Sequence, residues 1–211
     1  MKYKAIIYDL DGVICYTDHY HYLAWKKLAD RLGIYFDELV NNRLRGVSRM
    51  ESLEIILERY EGVPLAQDTK HMYAEEKNLF YKQLLQKMSP LDLSKEVKDT
   101  LVELRARGMK QAIGSSSKNA KLILKQIGLE NYFDEISDGN NINNSKPDPE
   151  VFILAAQYLN VPPTDCLVVE DALAGLKAAL ACGMDCAAIG DAVKSKQATY
   201  NLTKFSDLLL I

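Results

Sequence analysis

Lys4-Ala5-Ile6-Ile7-Tyr8-Asp9-Leu10-Asp11-Gly12-Val13 is the stretch on which the fold turns. Four apolar residues, Ala5 to Tyr8, read as a buried strand, and Gly12 marks the turn that ends it. Side chains alternate along an extended segment, so Asp9 and Asp11 share one side, about two residue rises apart. Two carboxylates at the end of a buried strand are costly unless a positive group sits with them. A hard cation such as Mg²⁺ suits the place, because it prefers carboxylate and carbonyl oxygens. A carboxylate can also attack phosphorus. One reading of the pair is therefore a nucleophile and a proton carrier; the other is two loop aspartates that cap the next helix.

Working outward, residues 17–87 carry helical patterns only, over 19–32, 36–42, 50–60 and 68–88, with breaks at Gly33 and at Gly62-Val63-Pro64. From residue 94 the rhythm changes to alternating helix and strand. Helices are predicted at 95–107, 120–127, 150–159 and 172–182, and strands at 111–114, 132–136, 166–169 and 186–189. This alternation implies an α/β fold with a doubly wound, parallel, Rossmann-like sheet. The core domain is expected to be discontinuous, 1–16 and 88–211, with an all-α insertion at 17–87. Ligands of such sheets bind at the carboxyl ends of the strands.

Composition narrows the function classes. The chain has 211 residues, 48% hydrophobic and 26% charged, with a net charge of -3 and no basic run, which argues against a nucleic-acid partner. No apolar stretch approaches the ~18 residues of a membrane span, and the start is a strand rather than a leader, so a cytoplasmic monomer is expected. Cys15, Cys166, Cys182 and Cys186 have no CxxC spacing and read as reduced thiols.

Polar residues mark several strand ends. The first strand carries Asp9 and Asp11. Another carries Ser115-Ser116-Ser117-Lys118-Asn119, where hydroxyls and helix-start N–H groups can hold a phosphate, or simply cap the helix. Lys146, before Pro147, can neutralise a transferring phosphoryl group, or be a solvated surface lysine. Glu170 and Asp171 can add oxygen ligands for Mg²⁺, or suit the positive end of the following helix. A parallel sheet brings all four to one edge.

DLDGV, then SSSKN, SKPDP and VEDALAG, resembles the haloacid dehalogenase superfamily over the whole chain. The all-α insertion resembles that superfamily's helical cap. Within the cap region His21, Trp25, the loop Arg45-Gly46-Val47-Ser48-Arg49, Glu51-Ser52-Leu53, Lys77-Asn78 and Ser89-Pro90 resemble the β-phosphoglucomutase subgroup. The resemblance implies a nucleophilic Asp9, an acid/base Asp11 whose main-chain carbonyl ligates Mg²⁺, and a metal site completed by Asp171 and Glu170. Ser115 and Lys146 would hold the transferring phosphoryl group, and Arg49, Ser117, Lys118 and Asn119 the sugar's other phosphate. Ser116 would contribute mainly its backbone N–H. His21, Gly46, Val47 and Lys77 would line the cap side, with Trp25 near the sugar. The implied partners are small sugar phosphates, and the implied cofactors one Mg²⁺ and β-glucose 1,6-bisphosphate as activator and intermediate. A Mg²⁺-dependent sugar-phosphate phosphatase on the same scaffold is the alternative.

Overall fold

The structure is a computed structural model that describes residues 2–211. Six parallel strands form one sheet in the order β3-β2-β1-β4-β5-β6. They are β1 (Ala5–Tyr8), β2 (Lys110–Gly114), β3 (Glu135–Ser137), β4 (Cys166–Glu170), β5 (Asp185–Ala188) and β6 (Tyr200–Asn201). Alternation along β1 sorts its side chains between two hydrophobic layers. Ile6 and Tyr8 join Ile113, Leu167 and Val169 on one face. Ala5 and Ile7 join Ala112, Val168 and Cys186 on the other. Helices α5 (Lys95–Ala106) and α6 (Ala120–Gln126) cover the first face, and α7 (Glu150–Leu159) and α8 (Leu173–Ala181) the second.

Between β1 and β2 lies the helical cap, α1 (Asp18–Arg31), α2 (Glu38–Asn42), α3 (Arg49–Leu57) and α4 (Gln67–Leu85). It has its own apolar cluster around Trp25, Leu28, Leu53 and Ile56. Helix α4 belongs to both: Ala74 packs in the cap cluster, while Tyr81, Leu84 and Leu85 pack in the sheet's. Helix α3 begins with a capping box, Ser48 and Glu51 each satisfying the other's backbone N–H. No helix of the described residues is long and apolar enough to cross a membrane.

One expectation needs correction, and one strand had no sequence signal. The strand expected at 132–136 is observed at Glu135–Ser137. The backbone turns first, with Tyr132 N–H bonded to the Leu129 carbonyl, and Asp134 spends its carboxylate on the Gln111 N–H. The short edge strand β6 was not anticipated, because two residues carry no alternation to read. All four cysteines are free thiols.

Candidate active site

The carboxyl ends of β1, β2 and β4 open into a cavity of about 1030 Å³ roofed by the cap. Asp9, Asp11, His21, Trp25, Gly46, Val47, Arg49, Lys77, Ser115, Ser116, Ser117, Lys118, Asn119, Glu170 and Asp171 all line it. Lys146 does not. It has no exposed surface and sits behind the carboxylates, its ammonium 2.5 Å from Asp9 Oδ1, 2.5 Å from Glu170 Oε1 and 4.7 Å from the Phe152 ring centroid. Burial pulls the ammonium toward its neutral form, but Asp9 and Glu170 more than reverse this, and its pKa lies above the ordinary lysine range.

Asp9 directs its backbone N–H to the Val169 carbonyl, which continues the β1–β4 ladder and fixes where its side chain leaves the sheet. Gly12 follows with φ +91°, and any Cβ there would run into the Asp171 carboxylate. Its lack of a side chain lets the first turn close against the β4 turn. Glu170 spends its second oxygen on the Ala172 N–H at 2.9 Å.

Asp9, Glu170 and Asp171 each bring one oxygen to within 4.8 Å of the others. Three carboxylates against one ammonium leave an excess of negative charge. Burial first, then its carboxylate neighbours, pushes the Asp171 carboxyl up to about 8. Glu170 is pushed to about 7 by burial, against the pull of Lys146. An all-oxygen donor set with surplus negative charge fits a hard divalent cation.

Asp11 has a different environment. Removal from water, and then the Asp9 charge, lift its carboxyl to about 7. Its Oδ1 accepts a bond from the Thr17 hydroxyl. Thr17 stands at the N-cap of α1, yet its hydroxyl makes no cap bond and goes to Asp11 instead. Sequence reasoning missed it; a threonine just before a helix is the only signal, and it points to a cap.

On the cap side, the Lys77 ammonium lies 2.9 Å from His21 Nδ1 and 4.5 Å from the Trp25 ring centroid. Burial, with Lys77 and Arg49 nearby, holds the His21 imidazole well below its usual range. Burial likewise drives Lys77 well below the ordinary lysine range. Arg49 is ion-paired with Glu75, a partner the sequence did not suggest. In the serine loop, the Ser115 hydroxyl accepts the Ser117 N–H at 3.1 Å, and the Ser117 hydroxyl accepts the Asn119 N–H at 3.2 Å. Two N–H groups expected to be open to a phosphate are thus already bonded.

A sheet of this order with a helical cap over its carboxyl edge defines a class before it defines a member. A profile of haloacid dehalogenase-like hydrolases matches residues 3–183, and the chain belongs to that family of enzymes. It is 39% identical to the β-phosphoglucomutase of Bacillus subtilis (strain 168) over 98% of this chain and 92% of that protein. A crystal structure of β-phosphoglucomutase from Clostridium difficile, 37% identical, superposes with a TM-score of 0.91 and covers 98% of this chain and 93% of that one. The fructose-1-phosphate phosphatase YqaB of Escherichia coli (strain K12) is 34% identical over 87% of this chain and 95% of its own length.

Proposed function

We propose that this chain is a β-phosphoglucomutase, interconverting β-D-glucose 1-phosphate and glucose 6-phosphate through an aspartyl phosphate on Asp9 and β-glucose 1,6-bisphosphate. One observation carries the reading: cationic side chains stand at two separate places, Lys146 directly behind Asp9, and Arg49 on the cap wall of the cavity, where it is paired with Glu75. The cavity volume, about 1030 Å³, suits a sugar with a phosphate at each end. A phosphatase needs only the first place. The likeness to β-phosphoglucomutases over nearly the whole chain supports the same choice.

In the first half-reaction Asp9 Oδ attacks phosphorus of the bisphosphate, the bond to the sugar oxygen breaks, and that oxygen takes its proton from Asp11. In the second, Asp11 removes the proton from the sugar hydroxyl, which attacks the phosphorus on Asp9 and releases the carboxylate. A group that both gives and takes a proton works best near neutrality, and the Asp11 carboxyl at about 7 meets that need. Lys146 holds the Asp9 carboxylate in one orientation and offsets charge as the phosphoryl group arrives. The carboxylates of Asp9 and Asp171, with Glu170 and the Asp11 carbonyl, would hold Mg²⁺. Bound there, the ion supplies charge neutralisation for the transferring group. The cap keeps water from the aspartyl phosphate while the bisphosphate turns over. Arg49, Ser117, Lys118 and Asn119 hold the phosphate that is not reacting, and Arg49 exchanges Glu75 for it.

The test is ³¹P NMR of the purified protein with Mg²⁺, β-glucose 1-phosphate and a trace of β-glucose 1,6-bisphosphate. Growth of the glucose 6-phosphate resonance with little inorganic phosphate is expected. Inorganic phosphate in its place would overturn the mutase reading in favour of a sugar-phosphate phosphatase.

A further inference from the structure

Side-chain hydrogen bonds tie the cap to the sheet's carboxyl edge on opposite sides of β1. On the β2 side, Asn119 Nδ2 donates to Asn78 Oδ1 at 2.9 Å. On the β5 side, Arg45 Nη1 donates to Asp191 Oδ2 at 3.0 Å. Arg45 lies in the loop between α2 and α3, and Asp191 in the short turn Gly190–Ser195 that follows β5. We infer that Arg45 is a positioning residue: it clasps the cap shut through Asp191 and thereby sets how much of the protein is closed when substrate arrives.

The guanidinium is built for this. Its other arm donates to Asp18 at the start of α1 at 2.8 Å, and Asp18 also accepts from the buried Asn41 amide at 3.1 Å. One arm is thus fixed within the cap, and the second is presented to the core with its orientation already set. The neighbouring Gly46, φ +77°, lets the loop descend onto the start of α8. A Cβ there would lie 3.4 Å from the Ala174 Cβ and 3.6 Å from the Ala172 Cβ. The clasp therefore closes on the turn that carries Asp171.

Its strength suits a reversible closure. Side-chain exposure is 31% for Arg45 and 57% for Asp191, so water screens the pair. Such a pair biases an equilibrium without locking it. Apparent affinity scales with the closed fraction, so losing the clasp raises KM for a substrate that needs closure, by about two- to fivefold. A small phosphoryl donor that does not need the cap is unaffected.

The inference takes its substrate from the mutase reading, and the test separates the two. Asp191→Asn and, as a second variant on the cap side, Arg45→Gln are compared with wild type on β-glucose 1-phosphate and on acetyl phosphate. Expected are a raised KM for the sugar phosphate, more inorganic phosphate released per turnover, and unchanged acetyl phosphate hydrolysis; Asp191→Glu keeps the charge and restores KM. An unchanged KM in both variants, or an equal fall on both substrates, overturns the clasp. If wild type forms no glucose 6-phosphate, the mutase reading fails, and the clasp is judged on phosphate release from the sugar phosphate against acetyl phosphate.

Discussion

Replacing Lys146 by methionine keeps most of the side-chain volume and removes the charge. In the native protein this ammonium is wholly buried and donates to Asp9 and Glu170 at 2.5 Å each. The variant leaves Asp9, Glu170 and Asp171 facing one another with no ammonium among them. Removing one partner of a buried ion pair costs about 3–5 kcal/mol, chiefly because the remaining charge is left uncompensated. In a chain of this length that corresponds to a fall in Tm of about 6–20 °C. The penalty also has a definite dependence on pH. Glu170 and Asp171 are already raised to about 7 and about 8, above their unfolded values. The folded state therefore binds more protons than the unfolded state up to about pH 8, and stability falls as pH rises through that window. Lys146, raised above the ordinary range, stays charged throughout it. Without it Glu170 and Asp171 titrate higher still, so the loss is smaller near about pH 6, where these two can bind protons, and larger near about pH 8.5. Urea unfolding followed by circular dichroism, without divalent ions, measures both. A loss below about 1 kcal/mol at the higher pH, or equal losses at the two, would refute the reasoning.

Asp9→Asn should abolish labelling of the protein by acetyl phosphate; a variant that is still phosphorylated would move the nucleophile elsewhere. Arg49→Ala should reduce mutase turnover at least tenfold more than acetyl phosphate hydrolysis, on the order of a lost charge-assisted phosphate contact, and equal damage would argue against a second phosphate site. Adding Mg²⁺ to wild type should raise Tm more at about pH 6 than expected for a bystander ion and more still at about pH 8.5, because the ion competes with protons for the same carboxylates; a rise independent of pH would place the ion away from Asp9 and Asp171. Gly12→Ala should lower stability by about 1–3 kcal/mol in thermal unfolding, since the position has φ +91° and faces the Asp171 carboxylate; an unchanged Tm would contradict the close approach of the two turns.

Much of the fold could be read in advance because its signals are local. Ala5 to Tyr8 declare a buried strand, and the change from helix-only to alternating patterns places the insertion. The same locality explains the carboxylates at strand ends. What could not be read are pairings across the chain. Lys146 reads either as a phosphoryl-neutralising group or as a surface lysine, and its complete burial follows only from Asp9, 137 residues away, and Glu170. Thr17 reads as a helix cap until Asp11 is placed beside it. Arg45 and Asp191 are separated by 146 residues, and neither is distinctive alone. Edge strands fared worst, since β3 and β6 take their limits from neighbouring strands rather than from any alternation of their own.

The place of β1 in the sheet has a consequence for how the chain assembles. Its two partners, β2 and β4, begin 105 and 161 residues downstream of Ala5, with the whole cap intervening before either. Closing such long loops is entropically slow, whereas contacts among the cap helices are comparatively short-range. During synthesis, Asp9 and Asp11 therefore remain on an unpaired, hydrated segment after the cap helices have emerged, and both edges of β1 are covered only when residue 169 is available. A nascent or truncated chain ending before β4 presents an apolar strand with an open edge, the form most prone to pair with another molecule.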